Sequence, residues 1–335
     1  MKKLITLSML FMGTALFAQE EAPAKKVSIS GTVDAYYKTN LTSTDVGSQS
    51  FGTSFADETG FALGMANIIA SYEGEKTGAV ADLAFGPRAL QAAGTDAGIF
   101  VNQLYAYWNV SESTKLTLGR FNTYLGYEVI SPAANFNYST SYLFSNGPFS
   151  HVGLKADFSL SEDFSLMLAV MNVTDENFNG TSSSVPGAYS LGAQLGYSGQ
   201  FLNLYYDNKA KLGFEIDYTG GFDLTDSFFL GINAAYADNE GEGFMGAALY
   251  PQFAMSDSFS LGLRGEYFDW MSDVDAATDD QDVLALTLTG SYTIENLIIK
   301  PELRLDSNSQ EVYFDNDLAA TKSLAAFTLA AIYSF

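Results

Sequence analysis

Apolar and polar residues alternate with a period of two through many segments of about ten residues, the length a tilted strand needs to cross the hydrocarbon of a bilayer. Val152, Leu154, Ala156 and Phe158 alternate with His151, Gly153, Lys155 and Asp157, and Leu212, Phe214, Ile216 and Tyr218 with Lys211, Gly213, Glu215 and Asp217. The same rule sets Phe259, Leu261, Leu263 and Tyr267 against Arg264 and Glu266, and Leu297, Ile299, Leu303 and Leu305 against Lys300, Glu302 and Arg304. Each segment has one oily and one charged face. A soluble sandwich would carry the same alternation with its faces reversed, so periodicity alone does not separate the two.

Turn spacing does. Ser161-Glu-Asp-Phe-Ser-Leu166, Thr225-Asp-Ser-Phe-Phe-Leu230 and Ser256-Asp-Ser-Phe-Ser-Leu261 repeat one short turn, with a looser copy from Ser111 to Leu116. These tight connections alternate with long polar ones near 38–59, 86–98, 123–147, 173–187, 270–281 and 306–323, the asymmetry of an outer-membrane barrel. Phe158 and Phe164, Phe222 and Phe228, and Phe253 and Phe259 bracket three of the turns, where a periplasmic aromatic girdle would lie. The pattern predicts an all-β, antiparallel, up-and-down transmembrane barrel of about 16 strands, near 27–38, 60–73, 76–86, 98–110, 114–122, 148–159, 163–173, 188–198, 200–207, 209–218, 226–238, 243–254, 258–269, 283–294, 297–306 and 324–335.

The ends of the chain agree. Lys2 and Lys3 precede an apolar run from Leu4 to Ala18, which reads as a signal peptide over 1–19 followed by a short periplasmic segment over 20–26. The barrel would then occupy 27–335. Beyond the signal there is no run of about 18 apolar residues, so a membrane-spanning mature chain must cross as a closed barrel. Phe327, Leu329, Ala331, Tyr333 and Phe335 share one face of the last strand, and Tyr333 and Phe335 are the candidate recognition signal for the barrel-assembly machinery.

Composition narrows the chemistry. The chain has no cysteine, which excludes disulfides, thiol catalysis and a lipid anchor on cysteine, and it has one histidine. Its net charge of −23 makes nucleic acid an improbable partner, and loss of Lys2 and Lys3 would make it two units more negative. The acidic runs at Asp238–Glu242 and Asp279–Asp282 match no EF-hand spacing and read as solvated loops. They could also collect divalent cations among lipopolysaccharides, but no metal site or cofactor is expected.

The segment Leu118-Gly-Arg-Phe-Asn-Thr-Tyr-Leu-Gly-Tyr-Glu128, with Asn135-Phe-Asn-Tyr-Ser-Thr-Ser141 and Pro148-Phe-Ser-His-Val-Gly153, resembles the β-barrel porin family called porin-2 or OmpL-like. The N-terminus is similar in style to Bacteroidetes secretory proteins. In general porins the third long loop folds inward and narrows the barrel, so the resemblance implies a constriction at about 123–147. Its candidate residues are Tyr124, Tyr127, Glu128, Asn135, Asn137, Tyr138 and Tyr142, with Glu128 as the only charge within 124–147. An extracellular loop that never enters the lumen is the competing reading.

A 16-stranded barrel is wide enough for an aqueous channel, so passive diffusion of small hydrophilic solutes and ions is the expected function, without catalysis. The candidate pore-lining residues are Arg120, Lys155, Asp157, Glu215, Asp217, Arg264, Glu266, Lys300, Glu302 and Arg304, of both signs, with overall acidity favouring cations weakly. Arg120 shares a face with Leu116 and Leu118 on simple alternation; an inward Arg120 is the preferred reading, through inward leucines or a bulge. An outer-membrane phospholipase would need a Ser and a His in concert, and His151 is the sole imidazole, with Ser150 on the opposite face. A hydrophobic-substrate channel or a surface adhesin is the alternative function. The expected setting is the bacterial outer membrane after export, among lipid and lipopolysaccharide, with a homo-oligomer compatible with the sequence.

Overall fold

The computed structural model of the chain describes residues 26–44, 51–93, 100–173, 188–272 and 281–335. The signal peptide expected at 1–19, residues 20–25 of the segment after it and much of the long loops at 173–187 and 270–281 lie outside the described residues. Sixteen antiparallel strands close into one barrel, each paired with its sequence neighbours. They are β1 Lys26–Asn40, β2 Gly60–Glu73, β3 Thr77–Phe85, β4 Phe100–Ser111, β5 Thr114–Asn122, β6 Ser150–Ser159, β7 Phe164–Asn172 and β8 Tyr189–Tyr197. The second half adds β9 Gln200–Tyr206, β10 Phe214–Thr225, β11 Phe228–Asn239, β12 Glu242–Ser256, β13 Phe259–Met271, β14 Gln281–Ile294, β15 Leu297–Asn308 and β18 Ser323–Ser334. Between the last two lies a two-residue hairpin, β16 Tyr313–Phe314 with β17 Ala320–Thr321. β18 pairs with β1, and Gly31 and Phe335 exchange two backbone hydrogen bonds at 3.0 Å across the seam.

Sequence chemistry explains the repeated turns. Ser161 Oγ accepts from the Phe164 N–H at 3.1 Å, Ser256 Oγ from Phe259 at 3.1 Å and Thr225 Oγ1 from Ser227 at 3.3 Å. The hydroxyl substitutes for a backbone acceptor and fixes a two- to four-residue reversal. Just before three of these turns the register shifts by one residue, at Asn109/Ser111, Asp223/Thr225 and Ala254/Ser256, so Val110, Leu224 and Met255 are bulged and exposed. The flanking rings stack on the outer surface: Phe228 on Phe253 at 4.3 Å and Phe164 against Tyr197 at 4.5 Å.

The opposite end carries the long connections, with two exceptions. β9 joins β10 through 207–213, and β11 joins β12 through residues 240–241 alone. The first corrects the expected strand at 209–218: β10 starts at Phe214, and Lys211 and Leu212 belong to the turn. The reason is Asp207, whose carboxylate accepts the N–H groups of Ala210, Lys211, Leu212 and Gly213 at 2.8 to 3.1 Å and holds the segment out of the ladder.

Outward rows are apolar and exposed, as in Leu154, Leu249, Leu286 and Leu303, while the buried side chains face the barrel interior. That interior has cores of its own. Phe55 from the first long loop, Ala89 and Ala92 from helix α1 (Pro87–Ala93) in the second, and Ile130 and Phe144 from the third pack together with Met65 of β2.

Candidate functional site: a loop docked on the inner wall

Residues 123–149 connect β5 to β6, closed at the base by Thr123 N–H donating to Phe149 O at 3.1 Å. From there the segment runs along the inner wall, with strand charges meeting its peptide groups. Glu302 accepts the N–H groups of Tyr138 and Ser139 at 2.8 and 3.0 Å, and Glu266 those of Tyr142 and Leu143 at 2.9 and 2.8 Å. Asp217 accepts from Gly126 N–H at 3.0 Å. Cations take the carbonyls: Lys300 donates to Pro132 and Asn135, Arg304 to Thr140 at 2.7 Å, and Arg264 to Ser139 and Thr140 at 2.7 and 3.2 Å. Arg264 also meets Glu128 at 2.6 Å in a fully buried pair, and the other Glu128 oxygen accepts from Ser141 N–H at 2.7 Å. Charge-assisted bonds of this kind are about twice as strong as neutral ones, and they satisfy a loop backbone that has no ladder.

Side chains fit the loop to the wall as well. Tyr127 stacks on Tyr250 at 4.3 Å, Asn137 donates to Thr289 at 2.7 Å and the Tyr138 hydroxyl to Asp34 at 2.5 Å. Asn135 folds back, accepting from Val129 N–H and donating to Val129 O. Helix α2 (Tyr142–Asn146) is capped by Ser141, whose Oγ accepts from Phe144 N–H, and the Tyr142 hydroxyl reaches Asp306 and Tyr313, each at 3.1 Å. Three inward glycines make room for rings. A Cβ on Gly192 would lie 2.5 Å from Tyr124 Oη, on Gly231 2.4 Å from Tyr127 Oη, and on Gly262 2.3 Å from Phe136 Cε1. Burial raises the phenols of Tyr124, Tyr138 and Tyr142 well above the usual tyrosine range, and pushes Tyr313 up to about 12, with the Asp306 carboxylate adding to it.

The second loop braces the third. Arg88 of α1 donates to Ile130 O at 3.1 Å and Tyr138 O at 3.0 Å, and its guanidinium lies over the Phe55 and Tyr138 rings at 4.7 and 5.0 Å. Arg88, Asp34, Asp306 and the glycine sockets escaped the sequence reading. A glycine on the inward row of a strand signals close approach by another segment, and Gly192, Gly231 and Gly262 carried that signal.

Of the expected pore-lining set, the structure gathers Asp217, Arg264, Glu266, Lys300, Glu302 and Arg304 around this loop, with Glu215 buried on the same row as Asp217. Lys155 and Asp157 are separate: they face inward near the 160–163 turn, 3.3 Å apart and part-exposed. Arg120 is buried at 6% exposure, like its neighbour Phe121 at 4%, although the register pairs it with Leu104 and Val152 on the row of exposed Leu118. Strict alternation breaks here beside Gly119, whose φ of +139° departs from regular strand geometry. His151 is buried among Phe121, Tyr124 and Tyr205, its Nε2 2.9 Å from Thr123 Oγ1, where it positions the start of the loop. Among the described residues no cluster suited to a metal ion is present.

A family profile described as "Putative beta-barrel porin-2, OmpL-like" matches residues 26–335. The chain belongs to this porin family. Its barrel resembles the outer membrane channel DcaP of Acinetobacter baumannii, at 14% identity and a TM-score of 0.60 over 93% of this chain and 97% of that one. Similar too are an OmpF complex with daunomycin from Salmonella typhi (12%, TM-score 0.61, 93% and 98%) and an anion-selective porin from Comamonas acidovorans (12%, TM-score 0.59, 93% and 100%). No curated protein sequence matches the chain. At these identities the structural likeness speaks for the fold, and porin-family membership with that fold supports an outer-membrane channel rather than an enzyme.

Proposed function

We propose that this porin-family barrel passes small hydrophilic solutes and ions down their gradients across the bacterial outer membrane, with residues 123–147 as its constriction. The observation that carries the reading is the docking of that segment on inward strand charges inside a closed barrel of 16 strands, a size that leaves an aqueous interior. Lys155, Asp157, Glu215, Asp217, Arg264, Glu266, Lys300, Glu302 and Arg304 form its inner wall, most of them acting through the loop they hold. A weak cation preference is the finer reading, supported by the net charge of −23. Export by a signal peptide at 1–19 and recognition of Tyr333 and Phe335 during assembly complete the proposal, and a homo-oligomer would cover part of the apolar outer surface. Single-channel recording of the refolded protein tests it. Discrete ohmic steps that grow when part of Tyr124–Gly147 is deleted are expected; absence of any conductance overturns the channel, and unchanged conductance in the deletion overturns the constriction.

A further inference from the structure

Between the docked loop and the tight-turn end of the β11–β15 wall lies a cavity of about 460 Å³, within the range of small-ligand sites. Its wall follows from strand register. Phe229 of β11 stands opposite Gln252 of β12, Gln252 opposite Gly262 of β13, and Gly262 opposite Thr289 of β14, so these four form one inward row across the sheet. The Phe136 ring of the loop covers the gap left by Gly262, and Asn137 docks on Thr289 beside it. Ser291 and Tyr127 also line it, with Ala133, Ala134 and Ile298 as its small apolar patch. The result is three aromatic rings interleaved with amides and hydroxyls.

Two charged groups border the space, and both are engaged: Glu128 pairs with Arg264 and accepts from Ser141 N–H, and Lys300 donates to the carbonyls of Pro132 and Asn135. A cationic ligand would find no free carboxylate here, and an anionic one would have to compete with the two carbonyls for Lys300. An apolar ligand would strip water from the Gln252, Asn137 and Ser291 groups without replacing their hydrogen bonds. A ligand hydroxyl, both donor and acceptor, fits the Gln252 and Asn137 amides and the Ser291 hydroxyl alike.

We propose that this cavity binds an uncharged saccharide, one or two sugar rings in size, its C–H faces against Phe136, Phe229 and Tyr127 and its hydroxyls on Gln252, Ser291 and Asn137. The inference rests on and deepens the channel reading by naming a solute class, because a site between the docked loop and the tight turns would concentrate that solute below the constriction.

The test is equilibrium calorimetry on the detergent-refolded full chain, with glucose, galactose, N-acetylglucosamine and maltose as probes and tetraethylene glycol as a polyether without sugar hydroxyls. Saturable binding of at least one sugar, none of the polyether, and about tenfold or greater weakening by Phe229→Ala and by Gln252→Leu are expected. Ser291→Ala, which removes only a hydroxyl, guards against misfolding of the larger substitutions and should weaken binding severalfold. No saturable sugar binding to the unaltered protein, equal binding of the polyether, or full binding by all three variants overturns the proposal. Because calorimetry requires no conductance, a sugar site without a channel, or a channel without a sugar site, is read out as such.

Discussion

Glu128→Gln isolates the interaction on which the docked loop most depends. Glu128 and Arg264 meet at 2.6 Å with side-chain exposures of 3% and 0%, so solvent screens the pair little. Removing one partner of such a pair typically costs about 3–5 kcal/mol, because the other charge stays buried and uncompensated. Here the lower figure applies: the glutamine carbonyl still accepts from Ser141 N–H, and Arg264 keeps Ser139 O, Thr140 O and the Thr287 hydroxyl. A loss of about 3 kcal/mol weakens loop docking roughly a hundredfold.

A double-mutant cycle with Arg264→Met separates this coupling from the individual truncations. Urea unfolding in detergent micelles should show each single variant destabilised by about 2–4 kcal/mol, and the double variant recovering much of that because no lone charge remains. Single-channel traces of Glu128→Gln should show larger and noisier steps. A coupling below about 0.5 kcal/mol, at the limit of additivity, would refute the argument that this pair fixes the loop.

Three further outcomes follow from the same geometry. Gly262→Ala should loosen the loop by about 1–3 kcal/mol, because the new Cβ meets Phe136 Cε1 at 2.3 Å, whereas Gly265→Ala, whose Cβ meets only Leu286 at 3.9 Å, should be neutral; thermal melts in detergent compare them. For the loop tyrosines, a phenol raised above its ordinary 10.0 leaves docking unaffected below that pH and weakens it as pH climbs through the folded value, about 12 for Tyr313, with Tyr138 and Tyr142 raised in the same direction by burial; phenolate absorbance should appear later in the folded than in the unfolded protein, and coincident titrations would contradict this. Reversal potentials in a salt gradient should show only a small cation preference, which Lys115→Glu and Lys155→Glu increase; strong anion selectivity would refute the reading of the inner wall.

The barrel was legible because many strands carry their own period-two pattern and four of the tight turns a hydroxyl cap, at Ser111, Ser161, Thr225 and Ser256, all local signals. Residues 209–213 were misread because alternation continues through Lys211 and Leu212, while the decision lies with Asp207, whose carboxylate removes four N–H groups from the ladder. Arg120 was ambiguous because alternation sets it with Leu116 and Leu118, whereas its burial beside Phe121 follows a break in that alternation at Gly119, with φ +139°. Inward charges were identifiable as inward, but their partners were not: Glu302 and Tyr138 are separated by 164 residues, and nothing local to either announces the other. The same holds for Arg88 and Asp34.

Net charge and inner-wall charge consequently have separate meanings in this chain. Arg264, Glu266, Lys300, Glu302 and Arg304 would, on an empty wall, set a transverse field across the lumen. With the loop in place they are turned to its peptide groups and to each other, so that each of these ions compensates a backbone dipole before any solute reaches it. What remains in contact with water on the inner rows near the tight turns is a mixture: Lys115 exposed, Lys155 and Asp157 part-exposed, Asp223 exposed. These nearly cancel. Much of the protein's acidity resides instead in turns, loops and strand ends such as Asp238–Glu242, at the mouths of the barrel, where its potential is screened by salt and acts on ions outside the wall rather than on the groups the loop covers.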